Sequence, residues 1–204
     1  MAERRVIVVG GGVIGVCCVY FLAKMGVDVT LVERDEIGGA ASFGNAGTIA
    51  AGHPPLNKPG RIRRSVLELL NPKSPLYIPV RWDPGLFRWL WAFRRFCTDQ
   101  HLSVSMGALA PLGRASLDLF DVLVESEDLD CDYERSGYYE ICRTMKGLTD
   151  VTHDAVMMRQ YGYHPRELAP DELREIEPAV LDGAVGGVHF PEAATCDPHR
   201  FVME

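Results

Sequence analysis

The sequence predicts an α/β architecture: a β-α-β unit at the amino terminus, passing into an α+β region of helices and short strands. Three observations carry this. A short β-branched run, Val6-Ile7-Val8-Val9, leads straight into Gly10-Gly11-Gly12-Val13-Ile14-Gly15. A helical pattern from Val13 to Met25 then stops at Gly26, and Val27 to Val32 forms a second strand pattern ending at Glu33. Beyond residue 130 the helical period gives way to short strand-like runs such as Tyr138 to Arg143 and Gly186 to Pro191.

The bulk composition sets the frame. The chain has 204 residues, 47% apolar and 24% charged, as in a soluble globular protein with a substantial core. A net charge of −7 argues against nucleic acid as the main partner, because phosphate binding needs a basic surface. The six cysteines, at 17, 18, 97, 131, 142 and 196, form no C-x-x-C pair and no zinc spacing. They read as free thiols in a reducing, cytoplasmic compartment, with no metal site. Arg4-Arg5 and the apolar run Val6 to Ala23 imitate a secretion signal. Four glycines within the run and the lack of a small-residue cleavage site after it argue against that. No later segment has the apolar length of a transmembrane helix.

Each element of the first unit has its own reason. Val6 to Val9 is uniformly apolar, the pattern of a strand buried on both faces. Gly10 permits the tight turn out of it, Gly12 lets backbone approach a pyrophosphate, and Gly15 lets the helix pack closely on the strand. The amino terminus of that helix offers N–H groups and partial positive charge to phosphates. Gly26 suits a left-handed helix cap. Glu33 stands about twenty residues past the motif, at a strand end where a carboxylate accepts from ribose hydroxyls. An acid there disfavours a 2′-phosphate; Arg34 beside it either offsets that preference or lies along the adenine. Together these features make the unit Rossmann-type.

Ile37-Gly38-Gly39-Ala40-Ala41-Ser42-Phe43-Gly44-Asn45-Ala46-Gly47-Thr48-Ile49 follows. A small-residue stretch just after a ribose carboxylate is what a long dinucleotide needs in order to pass close by. With this segment the chain resembles the flavoprotein superfamily of D-amino-acid dehydrogenases, glycine oxidases and sarcosine oxidases. It is most similar to the D-amino-acid dehydrogenase small-subunit type, with its Ser-Phe-x-Asn-Ala-Gly run. The resemblance implies FAD as cofactor, with contacts from Val13, Ile14, Glu33, Arg34, Ala41, Ser42, Ala46, Gly47 and Thr48. Gly10, Gly11, Gly12, Gly15 and Asn45 complete the expected cofactor-binding set.

From His53 to Pro84 the chain is rich in Pro, Asn and Gly, with room for one short helix over Arg61 to Leu70. The resemblance makes this region part of a substrate-side cap, and His53 reads as a solvated loop residue. Asp83-Pro84 opens a helix over Leu86 to Thr98 that mixes aromatic residues with Arg88, Arg94 and Arg95. It reads as a core or oligomer helix, with an interfacial membrane helix as the alternative. Leu109 to Glu127 is a second helix. Tyr133 to Arg143 reads as strand, turn, strand, Asp150 to Tyr161 as helix, and Pro170 to Ile176 as a short helix. Tyr138, Tyr139 and His189 stay open between packing and pocket roles. Leu168 through Pro178 corresponds to the family's Leu-x-Pro-x-Glu-Leu-x-x-x-Glu-Pro run.

Asp197-Pro198 has the form of an N-cap and first helical residue. A helix of the few residues that remain is expected to bury little. With only two recognisable parallel strands, the chain is expected to be an amino-terminal fragment. Its expected organisation is 1–52 for the FAD-binding segment, 53–130 for a helical and loop excursion, and 131–204 for the start of an antiparallel substrate domain. The resemblance implies oxidative deamination of a D-amino acid, by hydride transfer from the α-carbon to flavin N5. The electrons then pass to a quinone or other carrier, in a peripheral arrangement at the inner face of a membrane. The alternatives are a glycine- or sarcosine-type oxidase using oxygen, a NAD-dependent dehydrogenase, and a truncated non-catalytic product. No catalytic residue is assigned.

Overall fold

The computed structural model describes residues 5–55, 59, 72, 77, 79, 82–180 and 182–204. Strands β1 (Arg5–Val9) and β2 (Asp28–Val32) pair in parallel, in register from Arg5 with Asp28 to Val9 with Val32. The Gly10 N–H donates to the Val32 carbonyl at 2.8 Å, one step past the last pair. Helix α1 (Val13–Lys24) crosses between them and stops where predicted. Gly26 takes a left-handed φ of 74°, and Val27 N–H bonds back to Leu22 O at 3.0 Å.

The expectation that β1 is buried on both faces is corrected. Ile7 is 63% exposed and Val9 83%, while Val6 and Val8 are half-buried. Only the face toward α1 is covered by described residues, so a sequence that is apolar throughout ends up buried by halves.

Strand β3 (Thr48–Ile49) follows. The short helix expected over Arg61 to Leu70 lies outside the described residues. Helix α2 (Pro84–Arg94) starts as predicted, with Asp83 Oδ1 accepting from Leu86 N–H at 3.1 Å. Helix α3 (Asp99–Glu127) begins ten residues before the expected Leu109, capped by Thr98, whose Oγ1 accepts from His101 N–H. Pro111 lies inside it. The added turns are held by a stripe at four-residue spacing, Leu102, Met106 and Ala110, all buried, which outweighs the local penalty of the proline. At its far end Glu127 Oε1 accepts from Tyr20 Oη and Lys24 Nζ, both at 2.7 Å, tying α3 to α1.

Beyond α3 come β4 (Tyr138–Cys142), α4 (Met145–Arg159), β5 (Arg166–Leu168) and α5 (Pro170–Ile176). Then follow β6 (Gly186–Phe190), β7 (Ala194–Thr195) and α6 (Pro198–Met203). The order β4-β6-β5 makes an antiparallel sheet, as the resemblance implies for this region. Of the first strand expected before Gly137, only a bridge from Glu134 to Thr195 forms. Helix α4 starts at Met145 rather than Asp150, because Thr144 Oγ1 caps it by accepting from Gly147 N–H at 3.1 Å.

Two cores result. In one, Leu102, Met106 and Ala110 of α3 meet Val151, Ala155 and Met158 of α4 and Val188 and Phe190 of β6. In the other, Cys131, Phe201 and Val202 pack with Val13, Val16 and Cys17 of α1 and with Phe120, Leu123 and Val124 of α3. The expectation that α6 buries little is therefore wrong. Phe201 and Val202 are buried, and the Phe201 ring lies 4.9 Å from that of Phe120. Packing against two longer helices stabilises a helix too short to stand alone.

Candidate cofactor site

The site grows from the carboxyl end of β1. Gly12 is the N-cap of α1 and has no side chain to satisfy the first turn, which also carries no acid. Ser42 does this from a distance: its Oγ accepts from Val13 N–H at 3.0 Å, and the residue is buried. Helix geometry leaves the N–H groups of Ile14 and Gly15 without an acceptor inside the helix, so the positive end of α1 stays available to an anion. Gly15 has no alternative residue. A Cβ there would lie 1.8 Å from the Gly10 carbonyl oxygen.

Glu33 closes the other side. Its Oε2 accepts from Gly11 N–H at 2.6 Å, while Oε1 accepts from Arg34 N–H at 2.7 Å and Asp35 N–H at 3.0 Å. These backbone donors, Asp35 first, then Gly11 and Arg34, hold the carboxyl below the usual carboxylate range. The strand-end acid thus faces the glycine loop, as its position in the sequence predicts. Arg34 points along the surface and pairs with Asp35 at 2.9 Å.

The segment after Ile37 runs beside this loop. Gly38 N–H donates to Gly11 O at 2.8 Å with φ at 71°. Asn45 organises its own turn, donating from Nδ2 to Ala41 O at 2.9 Å and accepting from Gly47 N–H at 2.8 Å. Ala41 and Ala46 are exposed. Gly47 has φ of 63°, and a Cβ there would lie 1.9 Å from the Cys196 carbonyl oxygen. Thr48 pairs with Thr195 as β3 meets β7, and Cys196 N–H donates to Gly47 O at 3.0 Å. All fourteen expected residues lie on this loop, this helix end, the tip of β2 or this segment.

Residues near the other end of the chain complete the surround and were not predicted for it. Asp197 accepts from His199 and Arg200 N–H, both at 2.9 Å, and thereby sets α6. The His199 ring meets Phe43 edge-on at 4.8 Å, and its buried Nδ1 has no hydrogen-bond partner among the described residues. The Cys196 thiol is pushed up to about 11, chiefly by burial. Asp-Pro at 197–198 marks a helix start in the sequence, but nothing local says that this start lies against residues 38–47.

The side chains left open make ring contacts, and the buried Tyr138 hydroxyl has no hydrogen-bond partner among the described residues. Tyr138 stacks on Phe190 at 4.8 Å, and Tyr139 on His189 at 4.4 Å. Burial raises the Tyr138 hydroxyl well above the ordinary phenol range. His53 is exposed, as expected, and its ring lies 5.7 Å from that of Tyr138.

The donor set suits an extended dinucleotide. A Cβ at Gly10 or Gly44 would meet nothing within 4 Å, so open space flanks the loop and the segment. In dinucleotide-binding folds generally, a side-chain-free helix start faces a pyrophosphate and a strand-end carboxylate faces a ribose.

The family model described as FAD dependent oxidoreductase matches residues 5–204. Over 204 residues the chain is 32% identical to D-amino acid dehydrogenase 1 of Mesorhizobium japonicum, covering 97% of this chain and 48% of that protein. It is 31% identical to a D-amino acid dehydrogenase of Neisseria gonorrhoeae, with the same coverages. The chain thus spans about half the length of the curated relatives it matches. Among solved structures, glycine oxidase from Geobacillus kaustophilus matches with a TM-score of 0.66 at 19% identity, over 98% of this chain and 43% of that one. L-proline dehydrogenase from P. horikoshii matches with a TM-score of 0.61 at 17% identity, over 98% and 40%. These two show a shared fold. Matched by the family model from β1 to its last residue, the chain belongs to the FAD dependent oxidoreductase family, whose cofactor is FAD.

Proposed function

We propose that this chain is the cofactor-binding part of an enzyme that oxidatively deaminates a D-amino acid and passes the electrons to a quinone or other carrier. The observation that carries the proposal is the convergence of Glu33, the α1 amino terminus and the segment bearing Ser42 around the glycine loop. Similarity over nearly the whole chain to proteins named D-amino acid dehydrogenase supports the choice of substrate.

In this reading Gly12, Val13, Ile14 and Gly15 hold the pyrophosphate by backbone N–H groups and helix charge. Glu33 accepts from a ribose hydroxyl, using the one lone-pair site that its three backbone bonds leave. Arg34 lies toward the adenine side. Ala41, Ser42, Asn45, Ala46, Gly47 and Thr48 carry the cofactor onward, with Asn45 shaping the turn rather than reaching out. FAD, when bound, supplies the two-electron acceptor for the substrate Cα–H. Residues 1–52 then form the cofactor segment, 53–130 the excursion beside it, and 131–204 the beginning of the substrate domain.

The test is the visible spectrum of the purified 204-residue chain, followed by release and identification of the cofactor. Flavin bands and released FAD are expected. A folded, colourless chain that takes up NAD would overturn the reading. With flavin present, D-amino-acid-dependent reduction of a quinone analogue without peroxide supports the dehydrogenase. Peroxide formed from glycine or sarcosine replaces it with the oxidase.

A further inference from the structure

All three tryptophans of the chain lie within ten residues, and all three are on the surface. Trp82 is 89% exposed, Trp89 58% and Trp91 61%. Arg88 lies within this stretch and Arg94 and Arg95 just after it, and no acid occurs between Asp83 and Asp99. In a chain of net charge −7, helix α2 is therefore a local patch of three positive charges among exposed indoles. Arg94 lies over the Trp91 ring at 5.4 Å, and none of the three arginines has an ion-pair partner among the described residues. Leu86, Leu90, Phe93 and Cys97 repeat at helical spacing and are half-buried, so the helix is already seated along one side. The aromatic and basic residues make up the rest.

We propose that α2 is an interfacial helix that docks this chain onto an anionic bilayer surface. A protein face covering the patch would have to pair or desolvate three guanidinium groups, which is expensive without matching carboxylates. An anionic headgroup layer supplies phosphates that arginine binds by charge-assisted, two-pronged hydrogen bonds. Indoles sit at the same depth, apolar face toward the acyl chains and N–H toward the headgroups. No helix among the described residues is long and apolar enough to cross a membrane, so the contact is one of lying on the surface. The inference rests on the quinone-carrier part of the function proposed above, but its test needs neither flavin nor substrate.

Because every indole lies in the patch, tryptophan emission of the 204-residue chain reports on α2. Vesicles of phosphatidylcholine with phosphatidylglycerol, at low ionic strength, are expected to shift that emission to the blue and to carry the protein in flotation. Added salt should release it, and phosphatidylcholine alone should bind weakly. R88Q/R94Q/R95Q should lower partitioning by about a hundred-fold, from roughly a kilocalorie per basic residue. W89S/W91S should weaken binding with its salt dependence unchanged. Absence of any shift with the wild-type chain would overturn the proposal. So would equal binding to neutral vesicles, or concentration-dependent self-association that shields the indoles without lipid.

Discussion

Gly15 and Gly44 stand at opposite extremes of what a glycine does in this site. A methyl at Gly15 would meet the Gly10 carbonyl oxygen at 1.8 Å, whereas at Gly44 it would meet nothing within 4 Å. Gly15→Ala is therefore expected to cost about 1–3 kcal/mol or more by urea unfolding and to empty the protein of flavin. Gly44→Ala should stay within about 0.5 kcal/mol. Ser42→Ala removes the distant cap of α1 and should cost about 1 kcal/mol, with weaker FAD retention. Glu33 adds a pH dependence. Its folded pKa lies below the ordinary value of 4.5, so its stabilisation is complete above that value and is lost as pH falls through the folded pKa. Thermal midpoints followed from about pH 6 down to about pH 3 should show that loss, and Glu33→Gln should remove this part of the acid dependence. The glycine spacing and the strand-end acid were legible residue by residue, because each follows from local backbone geometry. The Ser42 cap was not: it joins positions 29 apart, and no short-range pattern encodes that reach.

At the scale of elements, α6 has only six residues, yet it supports the cofactor segment from behind. Asp197 caps it, and Phe201 anchors it against Phe120. Asp197→Ala should cost about 1 kcal/mol and Phe201→Ala about 3–5 kcal/mol in denaturant melts. The larger loss should also loosen flavin binding, because β7, just before α6, pairs with β3 at Thr48. Elements with strong local signals, α1, α5 and β6, came out of the sequence close to their observed bounds, whereas α2 ends at Arg94, four residues before the expected Thr98. Helix α3 did not: the expected start at Leu109 set Pro111 in the first turn, whereas the buried stripe from Leu102 to Ala110 carries the helix ten residues further back. The two-residue strands β3 and β7 exist only as each other's partner, so neither has a pattern of its own.

For the molecule as a whole, FAD should act as a stabilising ligand of the folded chain. At about a hundred-fold excess over its dissociation constant it should add about 2.7 kcal/mol, raising the thermal midpoint of cofactor-stripped protein in a scanning experiment. The second core links α1, α3 and α6 beneath the glycine loop, so cofactor affinity and global stability should rise and fall together across the Phe201 and Ser42 variants. The outer face of β1, with Ile7 and Val9, takes no part in either core.

The amino-acid sequence alone determined the β-α-β unit, the glycine loop and the acid at Glu33, while its resemblance to known flavoproteins implied the family and the antiparallel later strands. The first three rest on residues near one another in the chain, where backbone sterics and hydrophobic period act directly. Only the tertiary structure decided that residues 194–199 close around the segment from Gly38 to Thr48, that α6 is buried, that β1 is covered on one face, and that the tryptophans of α2 face outward. Those outcomes depend on which distant surfaces meet, and burial is settled by the neighbours a side chain finds rather than by its own hydrophobicity.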